Sequence, residues 1–432
     1  MERKMKDSGI PWIGAIPEHW EVMRLRRVFS EAHEKTTDEG GQLLTLSQYT
    51  GISPKTEGKR VGMFEAESTV GYNIVHAGQF VMNIMLAWNG SYGVSDFDGI
   101  ISPAYVVFNF NFRCCKKYFH YLLRLDGYPP AFKTVSRGII ESRLRLYPIY
   151  FYQFLTIVPP LAEQERIASY LDEKCGEIDE LIDVEQQMIS NLESYRQAVI
   201  TEAVTHGLNP DVPVKETTSF WLPKIPAHWE LHYLRGISKG FRKGNGITKE
   251  DLIPDGNIAC VRYGDLYTKY NHHISDIHCR TNVSKIQNPV YAAYGDIYFT
   301  CSGEDVDAIG KSAAYLSDED CLIGGDLIIM KHSQNPKFLG YSLDSIISQK
   351  QKSYGKSKLK VVHTSVKDLK NVAVAIPPLS EQKKIAEYLD AKCSEIDELI
   401  KVKQEKIETL KQYRQSLIFE AVTGKTLITN NA

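Results

Sequence analysis

The sequence of 432 residues contains no run of 18 apolar residues, so nothing in it has the length and hydropathy of a membrane-spanning helix. Its start, Met1-Glu-Arg-Lys-Met-Lys-Asp7, leads into no apolar segment, which argues against a secretory signal. The eight cysteines (114, 115, 175, 260, 279, 301, 321, 393) never take C-x-x-C spacing. Reduced thiols in a cytoplasm are therefore expected, not a disulfide framework. With 43% hydrophobic and 24% charged residues, disorder and collagen-like structure are excluded as well.

Catalytic signatures are missing too. Gly310-Lys-Ser312 resembles the end of a phosphate-binding loop, but Asp305 stands where that loop needs its first glycine. Tyr128-Pro-Pro-Ala131 lacks both the amide and the stacking aromatic of an amino-methyltransferase motif, and His33-Glu34 lacks the second histidine of a zincin. His272, His273, His278 and Cys279 have no second ligand pair at zinc spacing, so solvated loop histidines are expected. Phe241-Arg-Lys-Gly-Asn-Gly246 is a basic glycine-rich turn too loose to name a cofactor. The expectation is a non-catalytic chain with no metal.

A strong basic excess is also absent: the formal net charge is −2. That average hides an uneven layout. Residues 20–158 carry 15 Lys+Arg against 12 Asp+Glu, residues 230–370 carry 19 against 16, and residues 161–206 carry only 3 against 11. Two mildly basic segments thus flank an acidic one.

What is present is a duplication. Residues 159–205 and 377–423 are identical at 30 of 47 positions, from Pro159-Pro-Leu-Ala-Glu-Gln and Pro377-Pro-Leu-Ser-Glu-Gln onward. A shorter pair precedes each: Ile16-Pro-Glu-His-Trp-Glu21 and Ile225-Pro-Ala-His-Trp-Glu230, with Trp12 matching Trp221. Between them, residues 30–155 and 240–372 show only faint kinship, such as Gly78-Gln-Phe-Val against Gly295-Asp-Ile-Tyr. Each repeat predicts a long helix opened by Pro-Pro, with Ala162 or Ser380 near the cap, and stopped at Gly207 or Gly424. Heptad spacing predicts a coiled-coil seam. It runs through Cys175, Ile178, Ile182, Glu185, Ile189, Leu192, Arg196, Val199 and Ala203. Its counterpart runs through Cys393, Ile396, Ile400, Lys403, Ile407, Leu410, Arg414, Leu417 and Ala421. Antiparallel pairing would bring the central charges Glu185 and Lys403 together. Strand-like runs at Ala104–Phe110, Asp296–Thr300 and Asp326–Met330 make each variable block a mixed globule.

These paired motifs, together with Trp88-Asn-Gly-Ser-Tyr-Gly93 and Asp98-Gly-Ile-Ile-Ser-Pro-Ala-Tyr105, resemble the DNA-specificity subunit of type I restriction–modification enzymes across essentially the whole chain. In the second block Gly324-Gly-Asp-Leu327 replaces Ser102-Pro-Ala-Tyr105, so the two blocks should not share a binding code. The resemblance implies an α+β fold with a pseudo-twofold internal repeat: two target-recognition domains separated by two long antiparallel coiled-coil helices. The boundaries would be 1–155 and 208–373 for the domains, 156–207 and 374–432 for the helices. It implies as partners double-stranded DNA, two methyltransferase subunits and restriction/translocase subunits. S-adenosylmethionine, ATP and magnesium would belong to those partners. A structural coiled-coil adaptor, or a standalone phage-defence nuclease or methyltransferase, is the alternative.

Base-edge readout favours Arg, Lys, Asn, Gln and polar aromatics, while Lys and Arg on phosphates set register. The candidates in the first block are Gln48, Tyr49, Lys59, Arg60, Trp88, Asn89, Ser91, Tyr92, Arg137 and Arg143. Those in the second are Arg242, Lys243, Arg262, Tyr263, Lys311 and the run Lys350, Lys352, Lys356, Lys358, Lys360.

Overall fold

The computed structural model describes residues 3–48, 50–55, 68–139, 144–303, 306, 309–357 and 362–429. The chain divides into two compact units: Met1–Glu185 with Glu405–Ala432, and Gln186–Gln404. Each unit holds one globule and part of both long helices.

The helices are Leu161–His206 and Leu379–Val422. Each begins directly after its Pro-Pro pair, one residue earlier than the expected cap at Ala162 or Ser380. Proline fixes φ and offers no N–H, so it suits the turn before the first helical hydrogen bonds. Gly207 and Gly424 follow the last turns at φ +83° and +69°, the left-handed stop that lacks a penalty only for glycine. The heptad stripe faces inward as expected. Cys175, Ile178, Ile182 and Glu185 are buried in the first unit; Ile396, Ile400 and Cys393 are buried in the second. Ile407 is buried, and Ile189, Leu192, Lys403 and Leu410 are half-buried.

Both units pair the helices antiparallel, and by the same residues. In the first, Asp179 forms an ion pair with Arg414 at 3.1 Å. In the second, Arg196 pairs with Asp397, the repeat counterparts of those two residues. The buried Glu185 accepts from Lys406 Nζ at 2.6 Å. Lys403, its expected partner, belongs to the second unit, whereas Glu185 and Lys406 belong to the first.

Each globule is entered and left through one antiparallel strand pair: Glu21–Arg24 with Leu155–Val158, and Glu230–Tyr233 with Ala373–Ile376. The outgoing strand runs straight into Pro-Pro and the helix. Inside, both globules share a sheet of the same order. It is Phe29–Ala32, Tyr105–Phe110, Phe80–Asn83, Tyr92–Val94 in the first, and Gly240–Lys243, Leu327–Lys331, Ile297–Thr300, Ser312–Tyr315 in the second. The three strand-like runs of the sequence are strands here. Phe80–Asn83 and Ile297–Thr300 are buried at all four positions, which accounts for their lack of apolar–polar alternation. The faint Gly78/Gly295 kinship is a shared turn: φ is +87° and +89° just before these two strands.

The second globule departs by adding His273–Ile274 in parallel to that sheet. It also carries a further sheet of Arg280–Thr281, Ile258–Val261, Cys321–Ile323 and Tyr291–Ala292.

Candidate nucleic-acid interface

The repeated motifs act as anchors for the globules. Glu163, in the first turn of its helix, accepts from Trp20 Nε1 at 3.0 Å and pairs with His19 at 2.6 Å. Glu381 does the same with Trp229 at 3.1 Å and His228 at 2.8 Å. Both indoles are fully buried. The next residue, Gln164, accepts from Cys115 N–H at 2.9 Å and donates to Pro159 O at 2.7 Å. Gln382 accepts from Asn335 N–H at 2.8 Å and donates to Pro377 O at 2.8 Å. One helical stretch further on, Asp172 receives Lys117 and Tyr121, each at 2.8 Å, as Asp390 receives Lys337 at 2.5 Å and Tyr341 at 2.9 Å. Lys-x-x-x-Tyr therefore recurs in both variable blocks. Sequence reading missed this signal because two residues in a divergent block carry little weight alone.

Burial works against the charge on Glu163, but hydrogen bonds from His19 and Trp20 and the Arg3 guanidinium outweigh it and lower its pKa. A charged carboxylate also suits the positive end of the helix.

In the first globule the proposed readers split. Tyr92 is fully buried with its hydroxyl donating to Leu123 O at 2.8 Å, and Ser91 is 3% exposed and bonded to Asn89. These two are core groups, corrected from the expectation: they lie on the inner side of the sheet and its turn, unavailable to a ligand. Asn89 is half-buried in that same turn. Gln48 is half-buried, and its carbonyl accepts from Arg124 at 2.7 Å. Trp88 is half-buried, with Lys133 Nζ 5.3 Å from its ring. Arg137 is exposed with its guanidinium 5.2 Å from the Tyr150 ring. Trp88, Lys133, Arg137 and Tyr150 thus supply basic and aromatic groups on one globule; Lys133 and Tyr150 escaped sequence reading because no motif marks them. Tyr49, Lys59, Arg60 and Arg143 lie outside the described residues. Tyr128 of the Tyr-Pro-Pro-Ala segment is buried, with its hydroxyl 3.3 Å from Thr156 Oγ1.

In the second globule Arg242 and Lys243 are exposed on the edge strand, and Tyr263 and Lys350 are exposed on separate helices. Arg262 is clamped on Asp265 by two 3.1 Å hydrogen bonds, and Lys311 is 3.4 Å from Asp344. The lysine run is not one surface. Lys352 is 2% exposed and donates to Gly310 O, Leu343 O and Ser312 Oγ, so it is a core amine rather than a phosphate ligand. Lys356 is half-buried and donates to His363 O and Asp368. Lys358 and Lys360 lie outside the described residues.

Of the three histidines expected to be solvated, His278 is exposed, but His272 and His273 are not solvated. His272 is buried with Nδ1 2.9 Å from Asp344, and burial against Tyr341 pushes the His273 pKa down to about 4. Among the described residues no three His, Cys, Asp or Glu side chains gather as metal ligands.

Residues 226–409 match the family model for the type I restriction modification DNA specificity domain. The type I restriction enzyme EcoBI specificity subunit of Escherichia coli is 24% identical over 72% of this chain and 65% of its own length. The MjaVIII specificity subunit of Methanocaldococcus jannaschii is 23% identical over 96% of this chain and 95% of its own. In both globule-and-helix repeats the chain is thus similar to type I restriction–modification specificity subunits. Its fold is that of a chain solved in a study of complex assembly and conformational transition of the type I R-M system. That likeness has a TM-score of 0.66 at 18% identity, covering 95% of this chain and 99% of that one.

A feature of this chain that the heptad seam does not include lies on the outer face of both helices. Leu181, Val184, Met188 and Tyr195 are exposed on the first; Leu399, Val402 and Tyr413 are exposed on the second. Leu181/Leu399, Val184/Val402 and Tyr195/Tyr413 are repeat counterparts. Their spacing of three, four and seven makes a second apolar stripe on each helix. No described helix is long and apolar enough to cross a membrane.

Proposed function

We propose that this chain reads a two-part DNA target, one half-site per globule, and carries two methyltransferase subunits on the outer stripes of its helices. The observation that carries this reading is the contrast within each unit. Glu, Gln and Asp of the repeat hold the globule by the same contacts in both units, while the two exposed globule surfaces present different groups. A duplicated anchor with unlike readers is what an asymmetric two-part target requires. The edge-strand Arg242 and Lys243 suit phosphate contact, and Trp88, Lys133 and Arg137 suit a groove wall. A repeated apolar stripe on a solvent face, at helical spacing, suits a helix of a partner; two such stripes suit two copies. S-adenosylmethionine, ATP and magnesium, in this reading, reside in the methyltransferase and in the restriction/translocase subunits that join them.

The test is exchange of residues 20–155 for the equivalent block of another specificity subunit, read by methylome sequencing of cells carrying the full complex. One half of the methylated motif should change and the other should stay. Simultaneous change of both halves would sink the assignment of one half-site to each globule.

A further inference from the structure

In the second globule, Lys269 Nζ lies 3.0 Å from Cys279 Sγ. Asp265 Oδ1 stands 3.1 Å from the same Nζ and 3.5 Å from the same Sγ, and Arg262 holds that carboxylate in place. The thiol is 7% exposed, but Lys269 borders a cavity of about 600 Å³ also lined by Tyr270, His272, His278 and Tyr341. A small oxidant entering the cavity therefore meets the amine, whose Nζ is 3.0 Å from the sulfur. An amine, a thiol and a proton acceptor within one hydrogen-bonding distance of each other form a reactive set with no part in the anchoring or reading described above.

We propose that Lys269 and Cys279 are a redox modification site, at which hydrogen peroxide joins Nζ and Sγ covalently. In the first step Sγ attacks one peroxide oxygen: the S–O bond forms, the O–O bond breaks, and the released hydroxide leaves as water with the thiol proton. The resulting sulfenic acid is electrophilic at sulfur and condenses with nitrogen nucleophiles. Lys269, once its ammonium proton has passed to water, attacks that sulfur as the free amine. The S–N bond forms, the S–O bond breaks, and hydroxide takes the surplus amine proton to leave as a second water. Sulfur loses two electrons, and one peroxide is reduced to two waters. A second peroxide inserts one oxygen between sulfur and nitrogen and leaves one water. Either product fastens both ends of the loop 270–278 and removes the charge of Lys269 beside Asp265.

Peptide mass spectrometry of the peroxide-treated, full-length protein tests this. Trypsin cuts after Arg262, Lys269 and Arg280 in the untreated chain, but a cross-linked Lys269 resists cleavage. The expected species is the uncut peptide Tyr263–Arg280, about 2 Da lighter than its unmodified mass, or about 14 Da heavier with the bridging oxygen. A thiol reductant should restore cleavage after Lys269. Lys269→Arg, which keeps the cation beside Asp265, should give oxidised Cys279 without the bridged peptide. Normal cleavage after Lys269 in treated wild type, with Cys279 free or carried only to sulfenic, sulfinic or sulfonic acid, overturns the proposal.

Discussion

Lys352 has almost no water with which to share its charge. Its three hydrogen bonds go to two carbonyls and a hydroxyl, and burial pushes its pKa down to about 7, against the pull of Asp344. In the unfolded chain the ordinary value is 10.5. Between these two values the unfolded state binds a proton that the folded state does not, so this group adds stability as pH rises from 7 to 10. Denaturant melts of wild type and Lys352→Met across that window should show wild type gaining steadily on the variant. A constant gap would mean that Lys352 stays charged in the fold. Glu163 has the opposite origin. Its folded pKa is lowered, so its contribution is present above the unfolded value near 4.5 and fades as pH falls through the folded one. Glu163→Gln should cost about 1–3 kcal/mol at pH 7, since the buried Trp20 N–H and the Arg3 charge lose their strong acceptor. Repeating the urea melts near pH 4 should find that penalty shrunken. Neither role was legible in the sequence. A lysine among lysines reads as a charged surface until burial is known, and Glu163 meets Trp20 only through the fold, 143 residues apart. Tyr92 misled for a related reason: chemistry suited to reading bases is equally suited to a buried hydroxyl with one carbonyl partner.

At the scale of the helices, residue chemistry and burial rank the ion pairs. Asp179 and Arg414 are 55% and 35% exposed along their side chains, so their pair should contribute only about 0.2–1 kcal/mol. Glu185 is 6% exposed at its side chain, and reversing its charge leaves Lys406 facing a buried like charge. Glu185→Lys should therefore cost about 3 kcal/mol or more, and adding Lys406→Glu should recover much of it. Thermal melts of the two single variants and the double would decide, and simple additivity would show that the residues do not interact. The outer stripe makes a separate prediction. Leu181→Glu with Leu399→Glu should leave the melt within about 0.5 kcal/mol of wild type, because both side chains already face solvent. The same double change should abolish co-purification of the methyltransferase subunit, and retained binding would place that partner elsewhere. The helices and their seam were readable because a period of seven over many turns survives any ignorance of the tertiary fold. The sheets were not. Their order joins strands far apart in sequence, and short all-buried strands carry no alternating pattern to mark their register.

Across the whole molecule, the basic side chains divide by what already holds them. Arg242 and Lys243 are exposed on their strand, whereas Lys356 serves Asp368 and the His363 carbonyl. Neutralising Arg242 and Lys243 together should weaken DNA binding by the assembled complex on every sequence alike. It should also reduce the salt slope by roughly one unit for each phosphate that is no longer neutralised. Lys356→Gln should leave that slope nearly unchanged while lowering the thermal midpoint. Filter binding over a salt series distinguishes the two; a full slope in the Arg242 and Lys243 double variant would remove the edge strand from the DNA-facing surface. The duplicated plan was visible in the sequence because its anchors are repeated almost letter for letter. Which groups face outward from each globule was not, since that depends on a sheet whose inner and outer sides the divergent blocks do not announce.

The three anchor carboxamide and carboxylate positions also bear on how such a chain changes over generations. A globule seated by one indole, one imidazole, one backbone N–H and a Lys–Tyr pair asks little of the remaining hundred or so residues beyond a sound core. Mutation or recombination can rewrite the outward loops without unsettling the seat. Because selection acts on the seat and on the loops through different side chains, novelty in what is recognised need not come with loss of assembly. Incoming blocks that keep Lys-x-x-x-Tyr and the His-Trp pair should be accepted by a new host chain, whatever address they bring.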